Sequence, residues 1–351
     1  MRPAVRPLSA ALLASILAPA CRATIPDEGK EGHFTANDAD SGGLDTADTG
    51  GDTGVDTGLD ISPPVVYDCA AAFTAPITPT PMASARAYHG IGFDDIGNLI
   101  GWDTRSALIA ATYDGDREVF VPGTEGVEQI DRLPDGDFVM AAPGSAALLR
   151  VSTEGAVTTL AVGVGSVYGV TVGPDGNVYT ADGAVRRTNV ETGEVTTLLE
   201  ASPTGEWIAH SINFNLDSTM LYIGTIGSGQ LLGLPLDADL NPTGPPETLA
   251  FVGSGWHDAV EVDACGGIWV PDYYSSSFYR VTGEDYAVTT AVEATPRGYG
   301  HGATFGTGIN GWRRDAIYQP QPYNGATVRE VVIGLPSGDT VRTWRGLPAP
   351  Y

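Results

Sequence analysis

A short unit recurs six times along this chain of 351 residues, and its period decides what the chain can fold into. The copies are His89-Gly-Ile-Gly-Phe93, Gln129-Ile-Asp-Arg-Leu133, Tyr168-Gly-Val-Thr-Val172, His210-Ser-Ile-Asn-Phe214, Asp258-Ala-Val-Glu-Val262 and His301-Gly-Ala-Thr-Phe305. Their first residues stand at 89, 129, 168, 210, 258 and 301, a period of about 40 residues. In the third copy Pro174-Asp175-Gly176-Asn177 follows, flanked by β-branched and aromatic residues on both sides. Proline presets φ and glycine accepts positive φ, so the chain reverses there as a hairpin. A 40-residue period built of several short strands is the signature of a β-propeller, whose ring of four-stranded blades leaves only short edges. The sequence therefore predicts an all-β, six-bladed propeller.

The outer strands are also legible. Ala147–Val151 with Val157–Leu160, Ala184–Thr188 with Val195–Leu198, and Phe278–Val281 with Ala287–Thr290 read as third and fourth strands of blades two, three and five. For blade six the fourth strand is either Val341–Trp344 or an N-terminal strand that closes the ring. The 46 glycines and the absence of a long apolar stripe of period 3.6 argue against helices.

Ahead of the domain, which spans 65–351, lie two segments of different composition. Residues 1–20 place Arg2 and Arg6 before the apolar run Leu8–Leu17, too short to span a bilayer, and read as a signal peptide. Ala18-Pro19-Ala20 precedes Cys21, an arrangement that resembles a bacterial lipoprotein signal with Cys21 as the acylated residue; Ala18 stands where such signals usually carry leucine. The expectation is an extracytoplasmic, cell-envelope lipoprotein held to the membrane by an N-terminal lipid anchor, with cleavage after Ala20 and secretion as the alternative. Residues 21–64 repeat Asp-Thr-Gly at 48–50, 52–54 and 56–58 with almost nothing apolar, so they read as a disordered acidic linker. Asp38, Asp40 and Gly43 loosely resemble a calcium loop but lack its terminal glutamate.

Net charge is −25, from 43 acidic and 18 basic residues, with no basic stripe, which excludes nucleic acid as a partner. The one lysine, Lys30, lies in the linker, so lysine-based chemistry is excluded from the domain. Of three cysteines, acylation of Cys21 leaves Cys69 and Cys265 as a pair, and outside the cytoplasm a disulfide between them is expected.

The turn motifs Leu133-Pro134-Asp135-Gly136-Asp137-Phe138-Val139, Gly173-Pro174-Asp175-Gly176-Asn177-Val178-Tyr179 and Val262-Asp263-Ala264-Cys265-Gly266-Gly267-Ile268-Trp269-Val270 resemble those of the gluconolactonase and senescence-marker (regucalcin) family. They are also similar to NHL-type propellers and virginiamycin B lyase. The resemblance covers roughly 85 to 345 and implies the six-bladed fold; its motifs specify turns more than an activity. In that family the residues opening certain first strands hold a divalent cation through a glutamate, two asparagines and an aspartate. Asp258 matches the aspartate position. His89 stands at the glutamate position, and Tyr168 and His210 at the asparagine positions, so the oxygen-ligand calcium site is not retained.

Histidine replaces it. Of five histidines, His89, His210 and His301 occupy the same repeat position and His257 precedes Asp258 there. Equivalent positions on innermost strands ring the axis at one height, so these side chains are expected to converge at one mouth of the channel. The following residue is small in five copies (Gly90, Gly169, Ser211, Ala259, Gly302), as close approach of strands requires, and Ile130 is the exception. Imidazoles with a carboxylate suit zinc or another transition metal, calcium less so. The alternative is an axial set of polar groups that simply bind channel water. Without a metal, Asp258 and His257 are a candidate base pair.

Gln129, Tyr168, Trp207, Trp256 and Tyr299 are candidate ligand-binding residues at the same mouth, the aromatic ones as a rim for sugars, lactones or peptides. No nucleophile elbow, zinc-protease helix or phosphate loop occurs. Two functions follow: a tethered propeller that binds a small molecule, glycan or protein, or a metal-dependent hydrolase or lyase with His89, His210, His301 and Asp258 at its centre.

Overall fold

The structure is a computed structural model, and it describes residues 67–69, 75–103, 107–124, 126–295, 299–323, 325, 327–345 and 347. The expected signal peptide at 1–20, the expected acylation site Cys21 and the expected linker at 21–64 lie outside the described residues. The strands are β1 (Thr80–Arg86), β2 (Ile91–Phe93), β3 (Leu99–Trp102), β4 (Ala107–Ala111), β5 (Arg117–Pro122), β6 (Ile130–Arg132), β7 (Phe138–Ala142), β8 (Ala147–Val151), β9 (Val157–Val162), β10 (Gly169–Val172), β11 (Val178–Ala181) and β12 (Val185–Thr188). They continue with β13 (Val195–Leu199), β14 (Ile208–Phe214), β15 (Met220–Ile226), β16 (Gln230–Pro235), β17 (Glu247–Phe251), β18 (Glu261–Val262), β19 (Ile268–Pro271), β20 (Phe278–Thr282), β21 (Ala287–Val292), β22 (Thr304–Phe305), β23 (Ala316–Gln321) and β24 (Thr327–Val332). They form six four-stranded antiparallel sheets, β2 to β5, β6 to β9, β10 to β13, β14 to β17, β18 to β21, and β22, β23, β24 with β1.

Each repeat unit read from the sequence opens a blade, and the turn after it behaves as its residues demand. Gly136 and Gly176 take φ of 95° and 75°, and their N–H groups donate back to the carbonyls of Leu133 and Gly173 at 2.9 Å. In blade five Asp263 does this work from full burial. Its carboxylate accepts from the N–H groups of Cys265 and Gly267 and from Trp269 Nε1, and it pairs with Arg280 at 3.0 Å.

Blade six settles the open alternative. Its outermost strand is β1, paired antiparallel with β24, so the N-terminal strand closes the ring. Val341–Trp344 is not a strand; it follows a 3-10 turn, Gly338–Thr340, capped by Ser337, and Trp344 buries its ring among Leu133, Val170 and Val172. The disulfide Cys69–Cys265 is present, with Cα atoms 5.6 Å apart. It ties the residues ahead of β1 to the turn of blade five.

Burial follows from stacking sheets face to face. Second strands such as β7 are buried along their whole length, whereas fourth strands such as β9 are mostly exposed. The apolar core is accordingly split into six clusters between neighbouring blades. Tyr179 of β11 against Phe214 of β14, ring centroids 4.8 Å apart, joins blades three and four. Apolar burial between blades leaves the axis to polar groups, and that is where the site forms.

Candidate functional site

The residue that opens each inner strand stands at one mouth of the axial channel because neighbouring strands nearly touch there. Gly90 N donates to the Glu128 carbonyl at 2.7 Å, and a Cβ on Gly90 would collide with that carbonyl and with Gln129 Cα. Gly169 is pressed in the same way against the His210 carbonyl. The small residues after the axial position are therefore what lets blades one and two, and three and four, meet.

His89, Gln129, Tyr168, His210, Trp256, Asp258 and His301 line one pocket, together with Glu128. Asp258 is its anchor. The carboxylate is buried, accepts from Trp256 Nε1 at 2.9 Å, and lies 2.9 Å from His301 Nδ1 and 3.5 Å from His210 Nδ1. Burial by itself would raise its pKa; the contact with His301 and the fields of His301, His210 and His89 outweigh it and hold the carboxyl below its usual value. His301 Nε2 is buried without a hydrogen-bond partner. The rings of His89 and His301 are 4.2 Å apart, and His89 Nδ1 is in close contact with the Glu128 carboxylate. The His89–Glu128 and His301–Asp258 contacts are short but poorly aligned as hydrogen bonds.

His89, Glu128 and His301 offer three ligand atoms within 4.8 Å of one another, a set that fits one ion. Two imidazole nitrogens and one carboxylate oxygen suit zinc, manganese or iron better than calcium. Asp258 at His301 Nδ1 leaves Nε2 as the free nitrogen, the way a carboxylate usually orients a metal-bound histidine. Glu128 precedes the repeat position, so the repeat does not mark it; its one sequence signal is its place next to Gln129.

Several expected site residues lie elsewhere. His210 is in the pocket but outside the three-ligand cluster; its Nδ1 faces the His257 carbonyl at 3.2 Å, and Tyr168 stacks on its ring at 4.9 Å. His257 is a correction. It is fully buried, Nδ1 accepts from Thr225 N–H at 3.3 Å, and Nε2 faces the Val252 carbonyl at 2.8 Å. Both nitrogens serve the backbone, and burial lowers the imidazole pKa, so it is a structural residue rather than a base beside Asp258. Trp207 is corrected as well: it packs on the core between blades three and four instead of the rim. Tyr299 stands on the rim just outside the pocket lining, in contact with Tyr273, Tyr274 and Tyr323. Gln129 crosses the axis. Its Nε2 donates to the Asp258 carbonyl of the opposite blade and its Oε1 accepts from Val170 N–H at 3.0 Å. The carboxamide lies between the mouth and a second cavity in the channel, lined by Asp131, Thr171, Asn213, Glu261 and Thr304 among others.

No protein-family model and no curated protein sequence matches this chain. Solved structures do. The calcium-binding protein regucalcin from Agrobacterium tumefaciens superposes with a TM-score of 0.61 at 18% identity, over 79% of this chain and 98% of that one. The chain has the regucalcin fold. A gluconolactonase from Xanthomonas campestris gives 0.61 at 16% identity, over 78% and 94%. Virginiamycin B lyase from Staphylococcus aureus, as a catalytically inactive histidine-to-alanine variant with quinupristin, gives 0.51 at 16%, over 73% and 88%.

Proposed function

We propose that the histidine-lined mouth is a metal-dependent active site of the hydrolase or lyase class, acting on a carbonyl compound such as a lactone or ester. The observation that carries this is the meeting of His89, Glu128 and His301, from three blades' innermost segments, over a buried Asp258 that orients His301. A divalent transition metal held there would polarise a carbonyl and lower the pKa of water. The chain's own residues supply the proton chemistry. With Nδ1 facing the His257 carbonyl, His210 would act through Nε2 as the general base. In ester hydrolysis that nitrogen takes a proton from water as its oxygen bonds to the carbonyl carbon. It then returns the proton to the departing alkoxide as the acyl C–O bond breaks. Tyr168, stacked on the ring, fixes its orientation.

Among the similar folds are a gluconolactonase and a lyase inactivated by loss of a histidine, which supports the class. The disulfide supports placing the domain outside the cytoplasm, as the leader read at 1–20 and Cys21 do for an envelope lipoprotein. The test is hydrolysis of a panel of lactones and esters with zinc, manganese or iron added. His210→Ala should lower kcat by 10²-fold or more on the scale of a lost general base. Metal-independent ligand binding with no turnover by any metal form would leave the mouth a recognition site for a small molecule, glycan or protein.

A further inference from the structure

Arg329 of β24 is a buried cation outside the lining of the mouth. Its side chain is 4% exposed, it makes no ion pair among the described residues, and burial lowers its pKa to about 9. The edge of the guanidinium that carries Nε and Nη2 grips acceptors from two blades. Nε donates to Gln319 Oε1 of β23 at 2.8 Å, and Nη2 donates to the Ser276 carbonyl, in the turn between β19 and β20. Nη1 is buried without a hydrogen-bond partner, and the guanidinium lies 4.9 Å from the centre of the Phe278 ring. An unpaired buried charge contributes little net stability, so the effect of this arginine lies in what it holds in place.

Both acceptors lead to His301. Ser276 is fully buried at φ +53°, a left-handed conformation that surrounding structure must enforce. Arg329 holds its carbonyl, and its Oγ accepts from Gly300 N–H at 2.9 Å. Gln319 is fully buried as well, and its Oε1 also accepts from Gln321 Nε2 at 3.1 Å. Between those two glutamines, the Pro320 carbonyl accepts from His301 N–H at 3.0 Å. Their amides pack so tightly on Gly300 that a Cβ there would collide with both. The Gly300–His301 segment is thus clasped between the turn of blade five and β23 of blade six, and Arg329 bolts the two sides together. A guanidinium reaches both acceptors through one planar edge, a fork that an ammonium cannot reproduce.

We propose that Arg329, acting through Ser276 and Gln319, is a positioning residue that sets His301 at its place in the mouth. The proposal rests on the reading of the mouth as a metal site for the first of its two readouts, and stands apart from it in the second. The first is the zinc affinity of the full-length protein by competition titration. Arg329→Lys keeps the charge but not the fork, and should weaken zinc by about 10- to 100-fold, the loss usual for a residue that orients a metal ligand, with Tm within a few degrees of the parent. The second is the His301 imidazole signal in heteronuclear NMR of the metal-free protein, assigned by its loss in His301→Ala. Arg329→Lys should shift that signal and leave in place the signal of His257, whose ring is held by Thr225 and Val252. If the parent binds zinc, equal affinity in the lysine variant overturns the proposal. If it binds none, the metal reading fails and the His301 signal decides alone: a shift upholds the positioning role, and an unmoved signal overturns it. Should Arg329→Lys not fold, Ser276→Gly takes its place, since glycine adopts φ +53° readily and the change removes only the Oγ that holds Gly300. That variant should shift the His301 signal too, and an unmoved signal overturns the clasp.

Discussion

Cutting the Cys69–Cys265 bridge should destabilise the domain without unmaking the ring. The bridge closes a sequence separation of 196 residues, for which the loss of denatured-chain entropy is worth about 5 kcal/mol as an upper estimate. In the native state the N-terminal segment has two other fastenings. Ile77 N donates to the Ala291 carbonyl at 2.7 Å, and β1 pairs with β24 from Thr80 opposite Glu330 to Met82 opposite Val328. Tyr67, Ile77 and Cys265 also pack against the cluster of Trp269, Phe278 and Val331. These contacts survive removal of the sulfur–sulfur bond, so the effect should fall on the denatured state. Cys69→Ser/Cys265→Ser is expected to lose about 3 to 5 kcal/mol in urea unfolding followed by tryptophan fluorescence, or roughly 10 °C in Tm, with native fluorescence unchanged. A loss below about 1 kcal/mol would refute the entropy argument. A variant that no longer folds would refute the claim that β1 and Ile77 close the ring by themselves.

Three further outcomes follow from single residues. Glu261 borders the second cavity and keeps some surface against it, yet protein encloses its carboxyl; burial first, then Asp339 and Asp131, raise its pKa well above 4.5 against the opposing Arg342. With a raised folded pKa, the stability it contributes is complete below about 4.5 and is lost as pH rises through the folded value. Glu261→Gln should therefore gain about 1 kcal/mol at neutral pH and flatten the pH dependence of Tm above 4.5. His257→Ala strands the Thr225 N–H and the Val252 carbonyl and should cost about 2 to 4 kcal/mol in denaturant unfolding. Gly90→Ala drives a methyl into the backbone of blade two and should lower stability by about 2 kcal/mol while displacing Glu128 and weakening metal binding, read by the same unfolding assay and by metal titration.

The fold was legible because its determinants are local. Pro-Asp-Gly turns and alternating strands repeat, and the repeat alone fixed which residues reach the axis: His89, His210, Asp258 and His301 do converge. The closure of the ring was not legible, since β1 and Val341–Trp344 are both short apolar stretches and only pairing with β24 distinguishes them. Position along the repeat misled at His257, because a residue one place before the axial position points out of the channel when it lies against Thr225 and Val252. Glu128, one place before Gln129, instead reaches His89. The difference is made by the local course of each inner strand, which a 40-residue period does not encode. Tyr273, Tyr274 and Tyr323 come from the turns between second and third strands of blades five and six, which return to the same mouth but lie outside the repeat unit.

The most direct measurement is elemental analysis of the full-length protein after dialysis without chelator, alongside His301→Ala and Glu128→Gln. The account predicts close to one equivalent of zinc, manganese or iron in the parent and its loss in both variants, with the Tm of each variant near that of the metal-free parent. No bound transition metal in the parent, or an equivalent retained in both variants, would contradict it.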